Sequence, residues 1–416
     1  SRLESLKGDG RGVASAFAGI NIVFVGDFWQ LLRVFEGTAK LKGGDSFVPT
    51  DAENKYQGRM MLLFMFGYFA FFAWLYVRYA PHLLPESASE HGLVLDQLLN
   101  FNFLIITVVF VITHVFLFYF AFKYTYSSDR KATFFTHSNK LEMLWTTVPA
   151  VFLAVIIVYG LSAWMDITAE APEGSLKIEL YPKQFDWTAR YSGTDSVLGA
   201  SNYNMISGTN PLGVITNASL MAMQQELSDE IGALKEELET DPKGGLKEEE
   251  ITETIGKRER QLARVSSFEG LEKASLVAGD DDILVKTEFY IPVGQSIDFI
   301  FRSRDVIHSA YMPHFRAQMN CVPGMTTSLN FVTRKTTEEM REMTGNPEFD
   351  YLLLCNKICG AAHYNMKMII KVVEPEVYDQ WIAEQETFAE SIQPADEEGM
   401  AEATKVTGNE ISMIEQ

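Results

Sequence analysis

Hydrophobic positions are distributed unevenly along the chain. Three stretches, 60–77, 101–122 and 144–164, are apolar almost without interruption; Arg59 and Arg78 flank the first, and His114 is the one titratable residue of the second. About 20 such residues match the hydrocarbon thickness of a bilayer, and the density of Phe, Tyr and Trp suits lipid-facing and interfacial positions. Three uncharged interiors so close together argue against buried helices of a soluble core, so each is predicted to span a membrane. An earlier stretch, 13–32, is broken by Gly19, Gly26 and Asp27 and reads as a partly buried or interfacial helix.

Beyond Ile178 the period shortens. SLKIELYP, DDILVKTEFYIP, SIDFIFRS, TSLNFVTR and MKMIIKVVEP have mixed or alternating polarity bounded by Gly, Pro and Asp, the pattern of half-buried strands. Their number points to a sandwich or a barrel. Between them, Leu227, Ile231, Leu234 and Leu238 recur at helical spacing, as do Ile251, Ile255 and Leu262, with a DPKGG break at 241–245. The expected organisation is therefore a cytoplasmic or interfacial segment over 1–56, spans at 57–80, 101–122 and 143–164, a β-domain over 175–375 with a helical hairpin at 218–262, and an acidic tail over 376–416. The tail is expected to hold one amphipathic helix around Trp381 and to fray after Pro394.

Charge sharpens this picture. Lys and Arg number 35 against 55 Asp and Glu, a net charge of −20, which speaks against nucleic-acid binding because phosphate contacts need clustered cations. Three cysteines in 416 residues cannot staple a chain of this size. The connection at 123–140 carries Lys123, Arg130, Lys131 and Lys140 against Asp129, whereas 80–99 carries Glu86, Glu90 and Asp96 and no Lys or Arg. Basic loops stay in the cytoplasm. The N-terminal segment, with Lys40, Lys42, Lys55 and Arg59, is then cytoplasmic, and everything after Trp164 lies outside. The inserted hairpin has 12 acidic and 6 basic residues between Glu226 and Arg260, the composition of a solvated structural insertion or of a partner-binding arm.

Candidate chemistry is concentrated in LLLCNKICGAAHYNMKMII. Cys355 and Cys359 are four apart, His363 follows four later and Met366 three after that, while His308 stands upstream in RDVIHSAYMP. Thiolate with thioether is a soft donor set that favours copper. Zinc competes for Cys2His2 but gives Met366 no role and normally uses different spacings. A mononuclear blue-copper site leaves one thiolate over. Two cysteines can instead bridge two coppers, each completed by one histidine and one weak ligand: Met366 for one, the Lys357 backbone carbonyl for the other. Cys321, in a turn-like stretch before Pro323, has no ligand partner at motif spacing.

These residues, with LEMLWTTVPA in the last span, KQFDWTARY after it and DVIHSAYMPHFRAQMNCVPG in the β-domain, resemble subunit II of haem–copper cytochrome c oxidases. The resemblance covers about 101–374 apart from the hairpin. It implies a membrane-anchored protein of the bacterial inner membrane, with transmembrane helices followed by an all-β cupredoxin-like Greek-key barrel on the periplasmic side. The first span and the hairpin are additions to that plan. It further implies a dinuclear copper centre (CuA) on His308, Cys355, Lys357 (carbonyl), Cys359, His363 and Met366. Such a subunit takes electrons from cytochrome c and passes them to the haem of subunit I, where oxygen is reduced. Phe185 stands where many members have the electron-receiving tryptophan, and Trp187 keeps the second aromatic. Arg190 occupies a place that is acidic in several members and helps dock the cytochrome, while Asp305 retains a docking carboxylate. Glu142 matches the carboxylate at the cytoplasmic mouth of a proton pathway. Lys357 replaces a glutamate that reaches magnesium in the family, and an ammonium cannot make that contact. The expected partners are subunit I, other oxidase subunits, the lipid bilayer and cytochrome c, with a haem domain tethered to a neighbouring subunit or a supercomplex as the other source of electrons. Related quinol oxidases lack the cysteines, which sets them apart. The alternative is a membrane-anchored copper-binding assembly or structural protein without turnover.

Overall fold

The computed structural model describes residues 50–131, 134–240 and 246–392, together with Val34, Gly37 and Thr38. The stretch 13–32, Lys40 and Lys42, the 241–245 break and the tail beyond Ile392 lie outside these residues.

Three helices, α1 (Asp51–Tyr79), α2 (Glu90–Lys123) and α3 (Asn139–Thr168), are long and apolar enough to cross a membrane. At 29, 34 and 30 residues they outrun the apolar stretches that seed them. A bilayer core needs only about 20 residues, so the polar turns project beyond it. Thr50 and Glu53 form a reciprocal capping box that starts α1. One compact unit contains α1 and α2 from Thr107 onward. Its helices meet through rings: Phe64 on Phe118 at 5.6 Å, Tyr68 on His114 at 5.5 Å and Phe72 on Phe110 at 5.3 Å. Near their ends the backbones approach so closely that a Cβ at Gly58 would lie 2.6 Å from Thr125, and Asp51 accepts hydrogen bonds from the Ser128 backbone and hydroxyl.

The second unit contains the sheets. The strands are β1 (Leu176–Lys183), β2 (Asp186–Tyr191), β3 (Ile283–Val285), β4 (Glu288–Pro292), β5 (Ser296–Phe301), β6 (His308–Met312), β7 (Ala317–Cys321), β8 (Thr327–Val332), β9 (Tyr351–Cys355) and β10 (Lys367–Val373). They form two five-stranded sheets, ordered β3-β2-β1-β5-β8 and β4-β10-β9-β6-β7. These sheets do not close into the expected barrel. The chain leaves one sheet at Lys286–Thr287, where Thr287 has φ 71°, so that β4 joins β10 instead of extending from β3. Between β7 and β8 the corner turns through Pro323 and Gly324 (φ 77°), and an isolated bridge pairs Ser303 with Pro323. The result is a mixed two-layer sandwich. Its core interleaves Ile178, Leu180, Phe299 and Phe331 of one sheet with Phe289, Tyr351, Leu353 and Ile370 of the other.

The insertion is a pair of helices, α4 (Asn217–Thr240) and α5 (Leu246–Ser266), followed by the short α6 (Lys273–Val277). Met205, Leu220, Met223, Leu227, Val265 and Leu276 give it a small core of its own. The capped helix α7 (Thr337–Thr344) precedes β9. The segment read as the start of the tail is built into the domain: in α8 (Pro375–Ala383) Trp381 stacks on Tyr290 at 4.5 Å, and Phe388 of α9 (Phe388–Ile392) is buried beside Tyr181, Leu212 and Val214.

Four charged side chains enter the interior beside β1. Glu179 pairs with Arg190 at 2.7 Å and with Arg302, and Arg190 reaches Asp282 at 3.3 Å. Arg190 is therefore not on a docking surface, contrary to the expectation from resemblance; it is 3% exposed and also donates to the Gly199 carbonyl. Burial opposes ionisation of Glu179, but the two guanidinium groups more than offset it and hold the carboxyl below its usual range. Asp282, with weaker compensation, is pushed up to about 7 by burial.

Candidate metal centre

The ends of β1, β5, β7 and β9 and the starts of β2, β6, β8 and β10 lie at one end of the sandwich, and the expected ligands come from these junctions. His308 opens β6, Cys355 closes β9, and Met366 directly precedes β10. Between the last two, the chain turns through Cys359 and a short 3-10 helix at His363–Asn365. Strand pairing sets the register: Ala310 faces Cys355 across β6 and β9, while Lys367 faces Leu354 across β10 and β9.

All six expected donors converge. The two sulfurs lie 3.8 Å apart, too far for a disulfide. Each has an imidazole of its own: Cys355 Sγ is 3.8 Å from His308 Nδ1, and Cys359 Sγ is 3.6 Å from His363 Nδ1. Each also has a weak donor, the Lys357 carbonyl 3.2 Å from Cys355 Sγ and Met366 Sδ 3.8 Å from Cys359 Sγ. The donor atoms of His308, Cys355 and Cys359 all fall within 4.8 Å of one another. Burial and the adjacent thiol push Cys359 up to about 11, so a metal ion must displace its proton. The set is soft and convergent, with His308, Cys359 and Met366 buried, and it fits copper.

The residues behind the donors were not legible as a site. Asp305 accepts from His308 Nε2 at 2.9 Å, which fixes the tautomer and turns Nδ1 toward the sulfurs. The same carboxylate accepts from the backbone N–H of Gln184 and of Val306, each at 2.7 Å. Both of its oxygens are thus engaged by the protein itself. Burial alone would raise its pKa, but these hydrogen bonds hold it below the usual carboxylate range. Gln184 donates its side-chain amide to the Cys359 carbonyl. An acid three residues before His308 was the available sequence signal for Asp305; Gln184 left none.

Phe185 lies over the metal loop. A Cβ at Gly360 would come within 2.8 Å of its ring and of Gln184 Nε2, so the loop needs glycine for this close approach. Trp187 is fully buried, its ring 6.4 Å from that of His308. Cys321 does not sit in a turn. It ends β7, paired with His308 in the sheet, and burial pushes its thiol up to about 12. Glu142 stands far along the chain in the first turn of α3, where its Oε1 accepts from the Ser138 backbone N–H at 3.2 Å.

Two family profiles match the chain: the transmembrane domain of cytochrome c oxidase subunit II over residues 78–163, and the periplasmic domain of that subunit over residues 267–373. The chain is a cytochrome c oxidase subunit II-type protein, carrying the transmembrane and the periplasmic domain of that subunit. The transmembrane profile begins at the very end of α1, and the periplasmic one begins where the α4–α5 insertion ends, so the added span and hairpin both fall outside the shared parts. Among the relatives of this subunit II-type chain is the alternative cytochrome c oxidase subunit 2 of Bradyrhizobium diazoefficiens, 26% identical over 315 residues, covering 76% of this chain and 88% of that protein. Subunit 2 of Thermostichus vulcanus is 22% identical over 309 residues, covering 74% and 80%. The crystallised periplasmic domain of subunit II from Bradyrhizobium japonicum aligns at 17% identity and a TM-score of 0.26, covering 51% of this chain and 95% of that one, a likeness too slight to bear on the fold. This subunit II is a multi-pass inner-membrane protein with its sheet domain on the periplasmic side, part of an oxidase-type electron-transfer complex.

Proposed function

We propose that this chain is the electron-accepting subunit of a respiratory haem–copper oxidase. It takes electrons from cytochrome c, or from a haem domain tethered nearby, at a dinuclear copper centre and passes them to the haem of subunit I. The observation that carries this reading is the duplicated donor set: two sulfurs 3.8 Å apart, each with its own imidazole nitrogen and its own weak ligand. His308, Cys355, the Lys357 carbonyl, Cys359, His363 and Met366 would hold the metal. When bound, the copper pair supplies a reversible one-electron store. The chain's own residues keep that store rigid. Asp305 locks the His308 ring, Gln184 ties the Cys359 backbone to the β1–β2 hairpin, and the core around Trp187 and Met366 keeps water away. Phe185 and Trp187 are the aromatics nearest the path by which an electron arrives. Phe185 touches the metal loop from the solvent side, and Trp187 lies behind His308.

Glu142 has the other role in this reading. Exposed at the start of α3, on the side where basic loops place the cytoplasm, it can collect a proton and pass it to subunit I without the cost of a mid-bilayer charge. Oxygen reduction itself belongs to subunit I. The test is stopped-flow reduction of the assembled oxidase. Absorbance of this subunit should change before that of the haem, and both should change before oxygen consumption begins. A copper-assembly or structural protein would show no such sequence, and haem reduction would proceed normally without its copper.

A further inference from the structure

The metal-bearing end of the sandwich differs in charge from the chain around it. The whole chain has a net charge of −20. Yet the loops of this end carry Lys183 at the β1–β2 turn, Arg304 between β5 and β6, and Lys357 between the two cysteines. None of the three is ion-paired among the described residues. The carboxylates of the same loops are hydrogen-bonded to nearby protein groups. Asp305 is committed to Gln184, Val306 and His308, and Asp186 accepts from the adjacent Trp187 N–H at 2.8 Å.

Apolar surface is exposed at the same end. Ile358 is 87% exposed and Tyr364 89%, each directly beside a ligand, Cys359 and His363 respectively; Phe185 is 37% exposed against the loop they share. Neither Ile358 nor Tyr364 packs into the core of the domain. Aromatic and aliphatic groups of this kind, with charges around them, are the composition of an interface whose centre becomes dry on contact. Charge complementarity then sets which partner fits.

We propose that the electron donor is a redox protein or domain with an acidic face. It would seat an apolar centre on Phe185, Ile358 and Tyr364, and negative groups against Lys183, Arg304 and Lys357. This rests on the metal-centre reading above and adds the chemistry of the donor to it. The acidic remainder of the chain does not cancel the complementarity, because charges beyond about 8 Å are screened at physiological ionic strength. A donor held in place by a neighbouring subunit needs no long-range steering at all, since tethering keeps its local concentration high.

The experiment uses the assembled, copper-loaded oxidase at about 0.15 M salt. Two single-haem c-type cytochromes, one acidic and one basic, serve as probes, with reduction followed at the copper absorbance. The wild type should be reduced faster by the acidic probe. Lys183→Glu combined with Arg304→Glu should slow the acidic probe about tenfold and speed the basic one. Ile358→Ser should slow both probes with an unchanged copper spectrum. Faster reduction of the wild type by the basic probe overturns the proposal, as does a charge reversal that leaves the ratio of the two rates unchanged. Absence of a copper spectrum in the wild type overturns the underlying reading instead, and the donor assignment with it.

Discussion

Asp305 is the residue through which the account of the metal centre can be tested without touching a ligand. It makes three hydrogen bonds, to His308 Nε2 at 2.9 Å and to the N–H groups of Gln184 and Val306 at 2.7 Å. Asp305→Ala removes all three. His308 is fully buried, so its ring loses the carboxylate that holds Nδ1 on the sulfurs. A hydrogen bond to a charged acceptor contributes about 1.5–3 kcal/mol. The carboxylate itself is 30% exposed, so the gain is at the lower end of that range. Loss of such a partner typically weakens metal binding about 10–100-fold, or roughly 1.4–2.7 kcal/mol. Competition against a chelator of known copper affinity measures this directly, with the near-infrared band reporting geometry. Asp305→Asn keeps an acceptor for His308 and should lose less than about tenfold. Wild-type affinity and an unaltered near-infrared band in Asp305→Ala would refute the claim that this carboxylate orients the histidine.

The other expectations concern different parts of the molecule. Cys355→Ser or Cys359→Ser should abolish the mixed-valence spectrum, whereas Cys321→Ser, in the β7 core position, should leave it intact; metal analysis with electron paramagnetic resonance checks both. Glu179→Ala strands Arg190 and Arg302 in the interior and should cost about 3–5 kcal/mol of stability by chemical denaturation, with an unchanged copper spectrum in the folded fraction. His314 is held below the usual histidine range by burial and by Arg316, and its ring is edge-on to Phe349 and Tyr351. Its neutral form is the folded one, so this contribution is complete above about pH 6.5. It declines as pH falls toward the lower folded value. His314→Phe should flatten that part of a thermal-melt series. Glu142→Gln should slow steady-state oxygen consumption yet leave reduction of the copper centre unchanged, and normal turnover would reduce Glu142 to a helix-start acid bonded to Ser138.

The metal-ligand motif was readable because four of its side-chain donors lie within twelve residues of chain and keep a fixed spacing, Cys355 to Met366. The spans were readable because hydrophobicity needs no partner to be seen, and the hairpin because Leu227, Ile231 and Ile255 keep helical period and are buried. Strands β2, β6 and β7 were harder, since their polar positions are matched by neighbours far away in sequence. Arg190 shows why. The resemblance placed it at a docking position, but Glu179 and Asp282, 11 and 92 residues distant, offset the cost of its burial. Sheet closure depends on which edges bond, and the corner at Thr287 decided that through a single backbone conformation. Gln184 reaches Cys359 across 175 residues, a contact with no local trace.

The central claim is that Cys355 and Cys359 together hold two copper ions. The most direct measurement is the copper-to-protein ratio of the purified oxidase subunit together with its electron paramagnetic resonance spectrum. The expected ratio is near two for this site, with hyperfine structure from one unpaired electron shared equally between two copper nuclei. A ratio near one with the splitting of a single nucleus, or zinc in place of copper, would contradict it.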